Sequence, residues 1–352
     1  MLRFIYFIRH YFLLIVILPT IFLGCRKEID FDVTDTIESE NLHPLQQYYE
    51  PWETVPVSTN GTPFMIEADN NYLYIVSDDG SKHWVEYMSG NHFVSTIFFS
   101  QDYKFTALTK GVNRMIIGGR GGTNCVSSFN YNGIINTYAF YVPSSRRINA
   151  FYDDAISFYV GGSFLSFGSA PASSYADRIY SNNGNVPGTD GIISYVYEMK
   201  RVDFSPYACG KSILPTGHSI AEWTGSIWEP RTPIIDDKIT DIEQIGDTLF
   251  IATFDSNGSA IKKFSNGNLI TDSTIVSTVP AYSSRVKLLS HNNSLYAYGT
   301  INVPEGPYQG VLKYTNGEWS YVGKLGGIPK DLTIFNGYLY AIINGQIKRF
   351  PL

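Results

Sequence analysis

The sequence predicts an all-β fold made from one four-stranded unit repeated seven times. Two observations carry the repeat: an apolar anchor recurs every 42 to 46 residues, and a Gly-containing tight turn follows each anchor. The third is composition. The 352 residues include 31 Gly, 26 Tyr and 22 Phe, which suits strands joined by short turns. With 44% hydrophobic and 16% charged residues, disorder and coiled coil are excluded. A formal charge of −6 lacks the basic footprint that a nucleic-acid ligand needs.

The anchors are Tyr74-Ile75-Val76, Ile116-Ile117-Gly118, Tyr159-Val160-Gly161, Phe250-Ile251-Ala252, Tyr296-Ala297-Tyr298 and Tyr340-Ala341-Ile342. Their first residues lie 42, 43, 91, 46 and 44 apart. The double interval calls for a copy near residue 205, and Tyr207-Ala208-Cys209-Gly210 fills it. The turns are Ser89-Gly90, Asn132-Gly133, Gly184, Thr224-Gly225, Asn266-Gly267 and Asn316-Gly317. Asn-Gly between apolar runs is a strong hairpin signal, because both central residues need positive φ.

Four-stranded units of this length imply a seven-bladed β-propeller of antiparallel blades, each sheet burying its faces against its neighbours. The seventh copy ends after its third strand, at Arg349-Phe350-Pro351-Leu352. Pro51-Trp52-Glu53-Thr54-Val55-Pro56-Val57 matches the Trp-led fourth strands at Trp228 and Trp319. The expectation is therefore a ring closed by the N-terminal strand pairing with the C-terminal blade.

The repeats resemble kelch and galactose-oxidase-type propellers. The closest copies of that pattern are Phe158-Tyr159-Val160-Gly161-Gly162 and Val311-Leu312-Lys313-Tyr314-Thr315-Asn316-Gly317-Glu318-Trp319. The resemblance spans roughly residues 51 to 352, and it speaks to fold, not to activity.

Ahead of the repeats, Arg3, Arg9 and His10 precede the apolar run Tyr11 to Leu23, too short to span a bilayer. Phe22-Leu23-Gly24-Cys25 resembles the bacterial lipobox. That resemblance implies a signal peptide over residues 1–24 and lipidation of Cys25, with the membrane held through that lipid. Residues 26–50 carry Arg26 and Lys27, then seven acidic residues and few apolar anchors, the composition of a solvated tether. The acidic stretch resembles the export signal of surface lipoproteins. The expected address is extracytoplasmic, at the outer membrane with cell-surface display, as a monomer. Cys125 and Cys209 fall in units that are not neighbours, so two buried free thiols are expected.

Within each unit, links between strands two and three share a rim with links between blades, and these are the long segments. Loops on a rigid scaffold collect binding residues. Lys104, Arg147, Lys238, Arg285 and Lys330 each stand ten to twelve residues before an anchor, where seven such slots would hold about half of one cation by chance. Such a ring would attract anions. Arg120, Tyr175, Tyr282 and Tyr308 lie on nearby loops, where Arg suits a carboxylate and Tyr a sugar face. The bland alternative is that basic residues at strand starts guard against aggregation.

No catalytic residue, metal cluster or cofactor motif stands out. His83, His92, His218 and His291 occupy unrelated repeat positions. Ser77 to Trp84 looks like a sialidase Asp-box with its Gly one place early, and reads as a plain turn before a core Trp. Asp255-Ser256-Asn257-Gly258 reads as a polar turn. Asp190, Asp236, Asp237 and Glu305 are the candidates for paired carboxylates. The expected function is non-catalytic binding of an anionic glycan or an envelope protein through the loop-rich rim. The competing expectations are a glycan-processing enzyme using that rim, and a passive scaffold of an envelope complex.

Overall fold

A computed structural model describes residues 50–352, apart from 90–91, 102–103, 123–124, 139–141, 143–145, 155–156, 164–175, 181–184, 187–190, 256–257, 277–285, 304–305 and 324. The expected signal peptide, Cys25 and nearly all of the expected tether lie outside the described residues, as do Tyr175, Tyr282 and Arg285.

Every sheet has four antiparallel strands. After a short β1 (Glu53–Thr54), the first blade holds β2 (Thr62–Ala68), β3 (Leu73–Asp78), β4 (His83–Ser89) and β5 (His92–Ser100). The second holds β6 (Lys104–Lys110), β7 (Met115–Arg120), β8 (Val126–Asn130) and β9 (Gly133–Tyr138). The third holds β10 (Ile148–Asp153), β11 (Ser157–Gly162), β12 (Ala176–Tyr180) and β13 (Asn185–Val186). The fourth holds β14 (Val196–Val202), β15 (Ser205–Gly210), β16 (Ile220–Trp223) and β17 (Trp228–Pro230). The fifth holds β18 (Lys238–Ile245), β19 (Thr248–Asp255), β20 (Gly258–Ser265) and β21 (Asn268–Val276). The sixth holds β22 (Lys287–His291), β23 (Ser294–Val303), β24 (Gly306–Thr315) and β25 (Glu318–Tyr321). A last meander follows, β26 (Asp331–Phe335), β27 (Tyr338–Ile343) and β28 (Gln346–Pro351).

The expected architecture is corrected at its seam. Six blades are unbroken runs of four strands, and the remaining sheet is composite, in the order β1-β28-β27-β26. The strand expected over Trp52 to Val57 contributes only Glu53 and Thr54, opposite Arg349 and Lys348. One further bond runs from the Val55 N–H to the Ile347 carbonyl at 2.9 Å. A full-length ladder closing the ring is therefore not formed. Pro56 has no N–H to extend the pairing, and Trp52 turns into the neighbouring core instead. Its indole donates to the Val322 carbonyl at 2.9 Å, and its ring lies 5.6 Å from Phe350.

The anchors are the second strand of each sheet, and burial explains why the sequence repeats there. Tyr74, Ile75, Val76, Ile116, Ile117, Tyr159, Ile251, Tyr296 and Tyr340 are all buried between sheets. Tyr74, Val76, Phe105, Ile117 and Phe129 fill the core between the first two blades. Val55, Ile66, Leu73, Tyr340 and Ile342 join the composite sheet to the first blade. The small residues after the anchors are a packing requirement. A Cβ on Gly118 would sit 2.4 Å from the Phe151 ring, and one on Gly161 would sit 2.6 Å from Val196.

The first strand of each sheet faces the axis, where β2, β6, β10, β14, β18, β22 and β26 lie beside one another. In five of them the ladder to the second strand slips by one residue near the start, as between Phe105 and Ala107 or Ile239 and Asp241. The displaced residue reaches sideways. Thr106 donates to the Ile148 carbonyl, Asn149 to the Val196 carbonyl, and Thr240 to the Val286 carbonyl. These three bulges thus staple one innermost strand to the next blade.

Candidate binding rim and charged axis

Antiparallel geometry puts the starts of the innermost strands, and the links between second and third strands, on one rim. Lys104 opens β6 and Lys238 opens β18, while Arg147 and Lys330 immediately precede β10 and β26. Lys104 and Lys330 are exposed; Arg147 and Lys238 are partly covered. Arg120 ends β7 directly opposite Lys104, so one cross-strand pair carries two cations. Like charges opposite each other raise the local positive potential. The Arg146 guanidinium is engaged, bonding the Ser163 carbonyl and the Tyr195 hydroxyl at 3.2 and 2.8 Å.

Tyr308 is a correction. It is fully buried, its hydroxyl donates to the Val311 carbonyl, and its ring packs edge-on against Tyr321 at 4.8 Å. No sugar can stack on it. The segment from Thr300 to Gly310 is not a loop: β23 and β24 run on as a ten-residue hairpin on each side. Phe254 and Asp255 likewise belong to β19 and Gly258 and Ser259 to β20, with the Gly258 N–H on the Asp255 carboxylate at 3.0 Å.

The Asp-box-like segment is a well-organised turn. The Asp79 carboxylate accepts the backbone N–H groups of Ser81 and Lys82, the Ser81 hydroxyl and the Trp84 indole N–H. Those donors, led by Trp84, hold its carboxyl well below the usual carboxylate range. Trp84 is half-buried, 5.0 Å from Phe99. Asp237 is tied to Lys262, and Asp236 is exposed.

The axis is the feature that sequence reasoning missed. Lys200, on β14, reaches Asp241 and Glu243 of the next blade at 2.8 and 2.9 Å. It also bonds the Leu288 carbonyl, one blade further, at 2.7 Å. Lys287, on β22, returns across the axis to Glu198 at 3.0 Å. Asp241 accepts the Ile242 and Leu288 N–H groups, both at 2.8 Å, and Ser290 bonds Glu243 at 2.9 Å. At the seam, Asp331 accepts the Ile66 N–H at 2.9 Å, while Thr333 bonds Glu67, also at 2.9 Å. The Tyr298 hydroxyl adds a longer bond to Asp331 at 3.3 Å.

Burial and neighbouring charges reshape these groups. Burial lifts the Glu67 carboxyl to about 7, and burial also raises Asp331 and Glu198. Burial pulls Lys200 down, but Asp241 and then Glu243 more than offset it and hold the ammonium above its ordinary value. Glu198 pushes Lys287 up to about 12. Chemically this is a set of interlocked ion pairs that fixes the relative positions of the fourth, fifth and sixth blades. Cys125 and Cys209 are buried free thiols, and burial raises both. Among the described residues no group of three or more His, Cys, Asp or Glu is placed to hold a metal ion.

No family model matches the chain, and no curated protein matches it. Solved structures do. The WD40 β-propeller domain of Doa1 is similar at 13% identity and TM-score 0.59, over 85% of this chain and 95% of that one. The computationally designed Ika8 protein is similar at 12% identity and TM-score 0.56, over 86% and 99%. YCF48 bound to D1 peptide is similar at 14% identity and TM-score 0.54, over 86% and 98%. At these identities the likeness is one of fold, and the fold is a β-propeller.

Proposed function

We propose that this protein is a non-catalytic binding propeller that recognises an anionic partner, a glycan or a partner protein, through its loop-rich rim. The observation that carries the reading is the placement of Lys104, Arg120, Arg147, Lys238 and Lys330 on that rim, at strand ends held by rigid sheets. Cations fixed on strands focus potential without a large ordering cost on binding. The axial carboxylates described above are taken up by lysines, hydroxyls and backbone N–H groups, which suits a structural role better than acid–base work. YCF48, a propeller of similar fold, is solved with a bound peptide. The lipobox-like Phe22-Leu23-Gly24-Cys25 supports a lipid anchor on Cys25 and display outside the cytoplasm at the outer membrane. The Lys313-Tyr314 turn before Trp319 supports a kelch-like repeat.

The test is a panel of sulfated, uronic and neutral glycans together with acidic and neutral peptides. A Lys104→Ala/Arg147→Ala/Lys330→Ala variant is expected to lose at least tenfold in affinity for the anionic probes with Tm nearly unchanged. Binding equal to the parent's, or no anionic probe bound by the parent, would sink the reading.

A further inference from the structure

The opposite rim carries the turns between first and second strands and between third and fourth strands, and one of them breaks the rule that the other two-residue turns of the molecule obey. Among the described residues, six two-residue turns have positive φ at both positions. Their second residue is Gly at 267, 317, 337 and 345, and Asn at 293, each of which tolerates the left-handed region. The sixth is Asp203-Phe204, with φ of 46° and 68°. A bulky side chain in that region is a strained outlier. Phe204 is also 83% exposed, so no packing inside the blade compensates for the strain.

The turn is held in place from outside. Gln244 of the next blade accepts the Asp203 N–H at 2.9 Å and donates to its carboxylate at 2.7 Å and to the Gly246 carbonyl at 2.9 Å. The Arg201 guanidinium lies 4.5 Å from the Phe204 ring, and Arg201 is itself exposed. Ile227, exposed in the turn between β16 and β17, stands on the same rim of the same blade. An aromatic ring presented rigidly beside an arginine is the composition of a binding hot spot. Gln244 donates to the Asp203 carboxylate, whereas the Arg201 guanidinium lies over the ring, so the charge in contact with the ring is positive.

We propose that Phe204 and Arg201 form an anchor for a partner protein, on the rim opposite the cationic one. The partner's matching surface is an apolar pocket that takes the ring, bordered by a carboxylate that pairs with Arg201. Strain at Phe204 persists because the ring is used outside the fold. This inference does not depend on the loop-rich rim.

The experiment has two arms, both on the full chain. In the first, Phe204→Asn is expected to raise Tm by about 2 °C, because Asn relieves the strain. A lower Tm would mean that the ring supports the fold and would overturn the proposal. In the second, Phe204→p-benzoyl-phenylalanine is photolysed in the cells that make the protein, and the adduct is mapped. A single adduct is expected, to a protein segment holding apolar residues and at least one Asp or Glu. Its yield should fall at least fivefold when Arg201→Glu is added. No adduct, an adduct to lipid or to a second copy of this chain, a segment lacking acidic residues, or indifference to Arg201→Glu would each overturn the proposal.

Discussion

Replacing Lys200 with Met tests whether the axial ion pairs hold the inner strands together. Met keeps the length of the aliphatic stem and removes one ammonium. That ammonium makes three bonds, to Asp241, Glu243 and the Leu288 carbonyl, and its side chain is 22% exposed. Its loss leaves two carboxylates short of a partner. Asp241 keeps two backbone N–H donors and Glu243 keeps Ser290, so neither is fully stranded. Breaking a buried pair from one side costs ~3 to 5 kcal/mol, and the remaining donors place this case near the lower end. Spread over about 300 residues, ~3 kcal/mol lowers Tm by about 5 °C. Urea unfolding reads the loss as a shift in midpoint at constant slope. Adding Glu243→Gln should recover about half of it, because one of the stranded charges is gone. A loss below about 1 kcal/mol, or no recovery in the double variant, would refute the claim that this lysine ties the blades together.

Two further outcomes follow from the seam. Glu67 holds its proton to about pH 7 in the fold against an ordinary value of 4.5, so the native state carries the extra proton between those limits. Stability therefore falls as pH rises from 4.5 to 7 and levels off above; Glu67→Gln should shallow that slope, measured by urea midpoints at pH 5 and pH 8. Trp52→Ala removes a buried ring and its bond to the Val322 carbonyl, and should cost ~3 to 5 kcal/mol by the same titration.

The blades were readable from sequence because each second strand is buried on both faces and must repeat apolar residues. The Asn-Gly pairs at 266 and 316 marked the hairpins because positive φ restricts the residues that fit. Trp52 was visible at the seam as a Trp ahead of a short polar run, yet its ladder was overestimated because pairing ends before Pro56. Tyr308 was placed on a rim loop, whereas β24 begins at Gly306 and carries it into the core. Charges on alternate positions of β14 and β18 look like a solvated strand face in one dimension. Only the radial arrangement brings Lys200 to Asp241 and Lys287 to Glu198. Phe204 carried a faint signal, an aromatic where the sister turns have Gly or Asn.

A disulfide placed at the seam tests the arrangement on which the rest depends. Thr54 and Lys348 are cross-strand partners, and facing residues of an antiparallel pair lie within disulfide reach. In a Thr54→Cys/Lys348→Cys variant, mild oxidation should link the two sites nearly completely and raise Tm, while the buried Cys125 and Cys209 stay reduced. Failure to link, or linkage only after partial unfolding, would contradict a β1 that lies against β28.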